Sequence, residues 1–276
     1  MPELPEVETV KRIIEPQIKG RNILRGIVQQ SQVIAHPDAG EFSDALKGQK
    51  IEGMSRKGKF LSIHLASGDR IILHLRMTGC LLVTPGKDPL EKHTHVVLKL
   101  DDDKDLRFVD LRRFGRMWLI KDGEKDDYSG ILKLGLEPFE EGFDGAYLQR
   151  MFSGKKRAIK DCLLDQHITA GIGNIYGDEI LFAAKIHPQR PASSLSAREC
   201  EKLAQMIPFV LQKAIDQNQL SPEEYLAEKG MEYRSTPFFQ VYGKKGQPCP
   251  VCSEILCRVT IAGRSSVYCP ECQGTV

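Results

Sequence analysis

The residues able to do the least ordinary chemistry stand at the front, in Met1-Pro2-Glu3-Leu4-Pro5-Glu6-Val7-Glu8. Once Met1 is removed, Pro2 carries a free secondary amine with the carboxylate of Glu3 beside it. An α-amino group titrates at roughly 7.7–8.0, so a useful fraction is unprotonated near neutrality, which is not true of an ordinary lysine. Such an amine can attack an electrophilic carbon and form an iminium link to it, with Glu3 shuttling protons. A proline ahead of a helix is also a plain way to begin a domain, and these residues alone leave both readings open.

A second constellation closes the chain. Cys249-Pro-Val-Cys252 and Cys269-Pro-Glu-Cys272 are separated by 16 residues, the four-thiolate spacing of a zinc ribbon. Disulfides are the alternative, disfavoured because the N-terminus lacks the basic and apolar regions of a signal peptide. Four thiolates close a tetrahedral shell and leave no position for water, so the expected zinc is structural. Cys257 lies between the pairs as a strand residue or a substitute ligand. Ala262-Gly263-Arg264 falls where a turn is expected. An arginine there is either a phosphate contact or an idle surface charge.

The third is Asp165-Gln166-His167-Ile168-Thr169-Ala170-Gly171-Ile172-Gly173-Asn174, between two helical patterns. Glycines leave backbone N–H groups unshielded at a helix start, where with the Asn174 amide they can grip a phosphate. A tight turn whose glycines only solve a packing problem is the competing reading. Net charge is only +2, but Arg56-Lys57-Gly58-Lys59, the arginines at 107–116 and the Lys155–Lys160 stretch are locally basic. Each cluster is a phosphate-facing surface or a merely solvated one.

The elements that must position these groups follow from periodicity. Val7, Val10, Ile13 and Ile14 mark a helix that Pro16 should end or kink. Pro2 and Glu3 then lie just ahead of its N-terminus, whose positive dipole end favours a neutral amine. Short alternating runs at 59–65, 70–75, 95–100, 106–109 and 117–120 predict strands of an antiparallel sandwich or barrel. Residues 122–143 read as a linker. Helical spacing returns in Ala158–Leu164, Ile175–Ala184 and a long helix from a Ser196 cap to about Asp216, with Glu199 placed for a capping box. No run of 18 apolar residues exists, so no membrane association is expected. Cys80, Cys162 and Cys200 are scattered as buried thiols of a reducing compartment would be, and a soluble cytoplasmic protein is expected.

Together, Pro2-Glu3, Lys59 in Arg56-Lys57-Gly58-Lys59-Phe60, the glycine turn and the zinc ribbon resemble the bacterial formamidopyrimidine-DNA glycosylase family of helix–two-turn–helix repair enzymes. The resemblance implies an α+β protein. Its N-terminal antiparallel β-sandwich with flanking helices would cover 1–128 and a linker 129–145. A helix–two-turn–helix domain over 146–235 and a zinc-ribbon finger over 236–276 would follow. It implies Pro2 as nucleophile, Glu3 as acid–base carboxylate, Glu6 as a second acidic group, and Lys59 assisting near the lesion. His74, Asn174 and Arg264 would contact the DNA backbone. Met77, Arg112 and Phe114 would fill the gap left by an extruded nucleotide, although a core Met and a core Phe are the plainer reading of two of them. The partner would be damaged double-stranded DNA bound by a monomer, with one structural Zn2+ and no organic cofactor. The reaction would be excision of oxidised purines followed by β,δ-elimination. The chain departs from the family's pattern over Asn218–Arg234, where a Gly-Gly-Ser-Thr start is absent and the stretch is acidic and helix-prone. A glycosylase with shifted specificity, for oxidised pyrimidines or other lesions, and a non-catalytic damaged-DNA-binding protein are the rival readings.

Overall fold

The computed structural model describes residues 2–230 and 238–274. The chain divides into two compact units: residues up to Leu132 with the segment from Asn218 to Arg234, and Lys133–Gln217 with the segment from Ser235.

In the first unit, helix α1 (Leu4–Ile18) buries Leu4, Val7, Val10, Ile14 and Ile18 completely. Pro5 sits in the first turn, where its missing N–H is no loss. Pro16 falls in the last turn and does not end the helix, which runs two residues further. Strands β1 (Ile23–Val28), β2 (Ile34–His36), β3 (Ile51–Lys57), β4 (Phe60–Leu65), β5 (Arg70–His74), β6 (Gly79–Pro85), β7 (Thr94–Leu100), β8 (Lys104–Asp110) and β9 (Arg116–Ile120) form two sheets. Their orders are β1-β7-β8-β6 and β2-β9-β5-β4-β3. Residues of both sheets, such as Leu61, Ile63 and Leu73 on one and Leu82, Val96 and Phe108 on the other, share one apolar core with α1, so the unit is the expected sandwich. It is not wholly antiparallel, because the short β2 pairs parallel with β9. The periodicity also passed over β1, β2, β3, β6 and a short helix α2 (Ala39–Ala45), whose N-cap Asp38 accepts the Gly40 and Glu41 N–H groups.

In the second unit, α3 (Gly145–Phe152) packs on α6 (Ala197–Gln217), as does α5 (Asn174–Ala184). The short α4 (Ile159–Leu163) precedes the glycine turn. Ser196 and Glu199 cap α6 reciprocally: Ser196 N–H donates to Glu199 Oε2 at 2.8 Å and Glu199 N–H to Ser196 Oγ at 3.3 Å. The hairpin β10 (Cys257–Ile261) and β11 (Arg264–Tyr268), followed by α8 (Pro270–Gln273), carries the cysteines. Among the described residues no helix is long and apolar enough to cross a membrane.

The atypical segment does form a helix, α7 (Pro222–Ala227), with a Ser221–Glu224 capping box. It packs against β6 and α1, and its Tyr225 joins the sandwich core. The Lys229 carbonyl accepts the Cys80 thiol at 3.3 Å. Of the helical domain expected over 146–235, the part from Asn218 packs with the N-terminal unit. Met231, Glu232, Tyr233 and Arg234 of that stretch lie outside the described residues, as does Met1.

Candidate active site and nucleic-acid contacts

Pro2, Glu3 and Glu6 are all buried at the start of α1. Glu3 is the N-cap, with extended backbone at φ −104°. Its N–H, one of the orphan donors of a helix start, donates to Glu6 Oε2 at 2.8 Å. Glu6 thus fixes the peptide that links Pro2 to Glu3. α1 packs on β3 and β4, and the two-residue turn between those strands is Gly58-Lys59, with Lys57 opposite Phe60. Gly58 opens that turn at φ +57°, a backbone glycine adopts freely. Lys59 is buried within it.

β4 and β5 place His74 opposite Phe60, whose ring meets the imidazole edge-on at 4.6 Å. Burial, then the charges of Arg76 and Lys59, depress the His74 pKa to about 3. Its Nδ1 accepts the Arg76 N–H at 3.0 Å, so the neutral ring carries its proton on Nε2. That makes His74 an uncharged N–H donor suited to a phosphate oxygen.

Met77, Arg112 and Phe114 come together on two loops of the same unit. Arg112 Nη1 donates to Met77 Sδ at 3.1 Å and its guanidinium lies 4.6 Å from the Phe114 ring centroid. Neither apolar side chain is a core residue: Met77 is 44% and Phe114 46% exposed. Sequence reasoning missed what holds them. Fully buried Asp110 accepts the Arg112 N–H at 3.2 Å, the Gly115 N–H at 2.8 Å and the Thr78 hydroxyl. A Cβ on Gly115 would lie 2.5 Å from Phe108, so the loop closes tightly only with glycine there.

In the second unit Gly173 caps α5 and Asn174 is its first residue. The Asn174 amide donates to the Ser265 carbonyl at 3.1 Å, which sets it beside Arg264 on the hairpin. Ala262 and Gly263, both at positive φ, make the two-residue turn before Arg264, the geometry that matches strand twist. Arg264 is exposed. Beneath lies a charged knot that the sequence did not reveal. Buried Lys160 pairs with buried Asp178 and donates to the Asn174 carbonyl at 3.2 Å. Asp178 also accepts from Ser266 Oγ and, at 3.0 Å, from the Val267 N–H. Glu179, next along α5, accepts the N–H groups of Gln240, Val241 and Tyr242 at 2.7–2.9 Å.

The ligand sulfurs of Cys249, Cys252, Cys269 and Cys272 lie within 4.8 Å of one another. Cys249–Cys272 and Cys252–Cys269 separations are 3.8 and 3.4 Å. A tetrahedral zinc with bonds of about 2.3 Å needs sulfurs about 3.8 Å apart, so the four residues fit one structural zinc ion. Cys257 lies outside the cluster, its thiol turned to the Ile255 carbonyl at 3.7 Å.

Three family models cover the chain: formamidopyrimidine-DNA glycosylase N-terminal domain over 1–117, its H2TH domain over 134–224, and a zinc finger found in FPG and IleRS over 246–274. A formamidopyrimidine-DNA glycosylase of Moorella thermoacetica is 45% identical over 94% of each chain. One from Pelotomaculum thermopropionicum is 40% identical over 99% of each. Among solved structures, the Lactococcus lactis FPG in complex with Fapy-dG-containing DNA covers 99% of this chain and 100% of its own, at TM-score 0.88 and 34% identity. With a two-sheet sandwich, an H2TH region and a four-cysteine hairpin, the fold is that of a helix–two-turn–helix protein with a zinc finger. The chain belongs to the formamidopyrimidine-DNA glycosylase family.

Proposed function

We propose that this protein excises oxidised purines from damaged duplex DNA and cleaves the strand, using Pro2 as its nucleophile. The observation that carries the reading is the start of α1, where a buried Pro2 precedes the N-cap Glu3 and Glu6 fixes the peptide between them. The sugar C1′ is inaccessible in a stacked duplex, so the nucleotide must first be flipped out. Met77, Arg112 and Phe114 fill the gap, while His74, Asn174 and Arg264 hold the phosphates.

With Met1 removed, the Pro2 nitrogen attacks C1′; the bond to the base breaks, its electron pair leaves with the base, and the proton given up by the amine goes to that base. Glu3 protonates the ring oxygen, the sugar opens, and C1′ becomes an iminium carbon. A secondary amine leaves no N–H on that nitrogen, so the iminium stays cationic and draws electrons from C2′. Loss of the C2′ proton expels the 3′ phosphate, and loss of the C4′ proton then expels the 5′ phosphate. Lys59 stands near the reacting sugar and its phosphate, and the protein acts as a monomer. The zinc holds the hairpin and takes no part in bond breaking.

Borohydride reduction of the covalent intermediate tests this. Pro2→Gly exchanges the ring-held secondary amine for a freely rotating primary one and should slow trapping by about tenfold or more. Intact mass of the adduct should show a chain lacking Met1 with the sugar on Pro2. Trapping through another residue would overturn the assignment. The Lactococcus lactis protein has also been solved with DNA containing an oxidised pyrimidine, so a panel of single-lesion duplexes decides between purine preference and a shifted one.

A further inference from the structure

Two ion-bearing side chains on one face of α1 grip β3 from opposite ends. Glu15 Oε1 accepts the Met54 N–H at 2.8 Å beside Gly53, where a Cβ would stand 3.0 Å from that oxygen. Seven residues earlier, and so on the same helix face, Glu8 Oε2 accepts from Arg56 Nε at 2.9 Å. Met54 and Arg56 are two apart on a strand and share its side. The pair Glu8–Arg56 is largely shielded, with side-chain exposures of 13% and 9%. Burial alone would raise the Glu8 carboxyl, but the Arg56 and Arg12 guanidiniums outweigh it and hold it below the ordinary carboxylate range.

The guanidinium has a second task. Arg56 Nη1 donates at 3.2 Å to the carbonyl of Gly58, which belongs to the peptide joining Gly58 to Lys59. One planar group therefore connects the helix that begins at Pro2–Glu3 with the peptide from which Lys59 springs. A lysine ammonium in its place could not hold both contacts in one plane.

We propose that Glu8 and Arg56 are positioning residues for the lyase reaction, forming a strut that sets Lys59 against the amine-bearing end of α1. This rests on the reading of Pro2 and Lys59 given above. The strut touches neither sugar nor phosphate in this role. It acts by keeping two reacting groups in register, where a misplacement of about 1 Å costs on the order of 10²-fold in rate.

The test is single-turnover formation of the borohydride-trapped adduct on abasic duplex DNA, with DNA affinity measured by anisotropy. Glu8→Gln and Arg56→Met should each slow trapping by about tenfold or more, with affinity changed less than about twofold. Arg12→Met removes only the other, exposed partner of Glu8 and should trap at the normal rate. In a Lys59→Ala background, Arg56→Met should cost almost nothing further, because the strut acts through Lys59. An equal cost in both backgrounds would mean a merely structural pair and would overturn the proposal. So would unchanged trapping by Glu8→Gln and Arg56→Met while the adduct maps to Pro2. An adduct that maps elsewhere in the wild-type protein instead overturns the underlying reading of Pro2. Arg56→Lys, which keeps charge and bulk, should fold normally yet remain slow.

Discussion

The sandwich and the zinc hairpin each present polar groups from a turn, but they hold those turns by different means. Around α1 the apolar core is abundant, and charged pairs such as Glu8–Arg56 are left to set position. The hairpin has little core: Phe182, Val241, Leu256 and Val267 cluster with Cys249 and Cys269. There the metal and the Lys160–Asp178 pair must help fold the unit as well as aim it. Charge can be spent on position only where burial of apolar surface already secures the fold.

The largest expected effect follows from the metal. Structural zinc supplies roughly 10–16 kcal/mol to small zinc domains. Cys272→Ala, or removal of zinc with a chelator, should unfold the hairpin and withdraw Arg264. DNA affinity should fall by about 10²-fold while the sandwich keeps its near-ultraviolet circular dichroism. Retained affinity in a zinc-free protein would mean the hairpin stands on its small core, and the contrast between the units would fail.

Asp178→Ala should come next. Burial pushes the Asp178 carboxyl upward even with Lys160 beside it, and removing it takes the paired carboxylate from Lys160, whose side chain is 2% exposed. Breaking such a pair costs about 3–5 kcal/mol, measurable as a lower urea midpoint. A loss under about 1 kcal/mol would show that the knot contributes little to folding.

How far the sequence carried depended on whether a residue's task is local. The zinc cysteines, the Ser196–Glu199 cap and the glycine before Asn174 announce themselves, because their geometry is set by neighbours a few positions away. β3 stayed hidden because Arg56 and Lys57 are polar and Gly53 interrupts the run, although Arg56 and Gly53 both meet α1. Asp110 and Asp178 were illegible for a related reason. Asp178 satisfies a hydroxyl and an N–H from a segment distant along the chain, Asp110 joins the distant Thr78 hydroxyl to N–H groups of its own loop, and nothing in local spacing marks an acid as such a hub. The Met77 and Phe114 environments were likewise undecidable, since a core and an exposed apolar residue look the same without their surroundings.

His74 sharpens the contrast on the sandwich side. Its folded pKa, about 3, lies below the ordinary value of 6.5. As pH falls below 6.5 the unfolded chain takes up a proton that the folded chain refuses. The stability contributed by the neutral ring is thus full above 6.5 and lost progressively toward pH 3. At pH 5 the cost is about 2 kcal/mol, taking 1.36 kcal/mol per pH unit. His74→Gln removes the titration, so the variant should lose less stability than the wild type between pH 7 and pH 5. Parallel acid limbs would show that His74 protonates freely and is no neutral donor.

The smallest effect concerns the exposed candidate residues of the sandwich unit. Phe114 is 46% exposed, and its contact with Arg112 is a surface cation–π pair worth about 0.5–1 kcal/mol at most. Phe114→Ala should therefore leave the thermal midpoint nearly unchanged. Its ring gains value only when it wedges between bases, offsetting part of an unstacking cost of a few kcal/mol. Excision from duplex DNA should fall about tenfold, while cleavage of an abasic site in single-stranded DNA, which has no stack to open, should proceed at close to the normal rate. The two substrates must diverge for the wedge to be right. An equal fall on both would place Phe114 with the groups that hold the reacting sugar, and the division between buried reacting residues and exposed strand-opening ones would have to be redrawn.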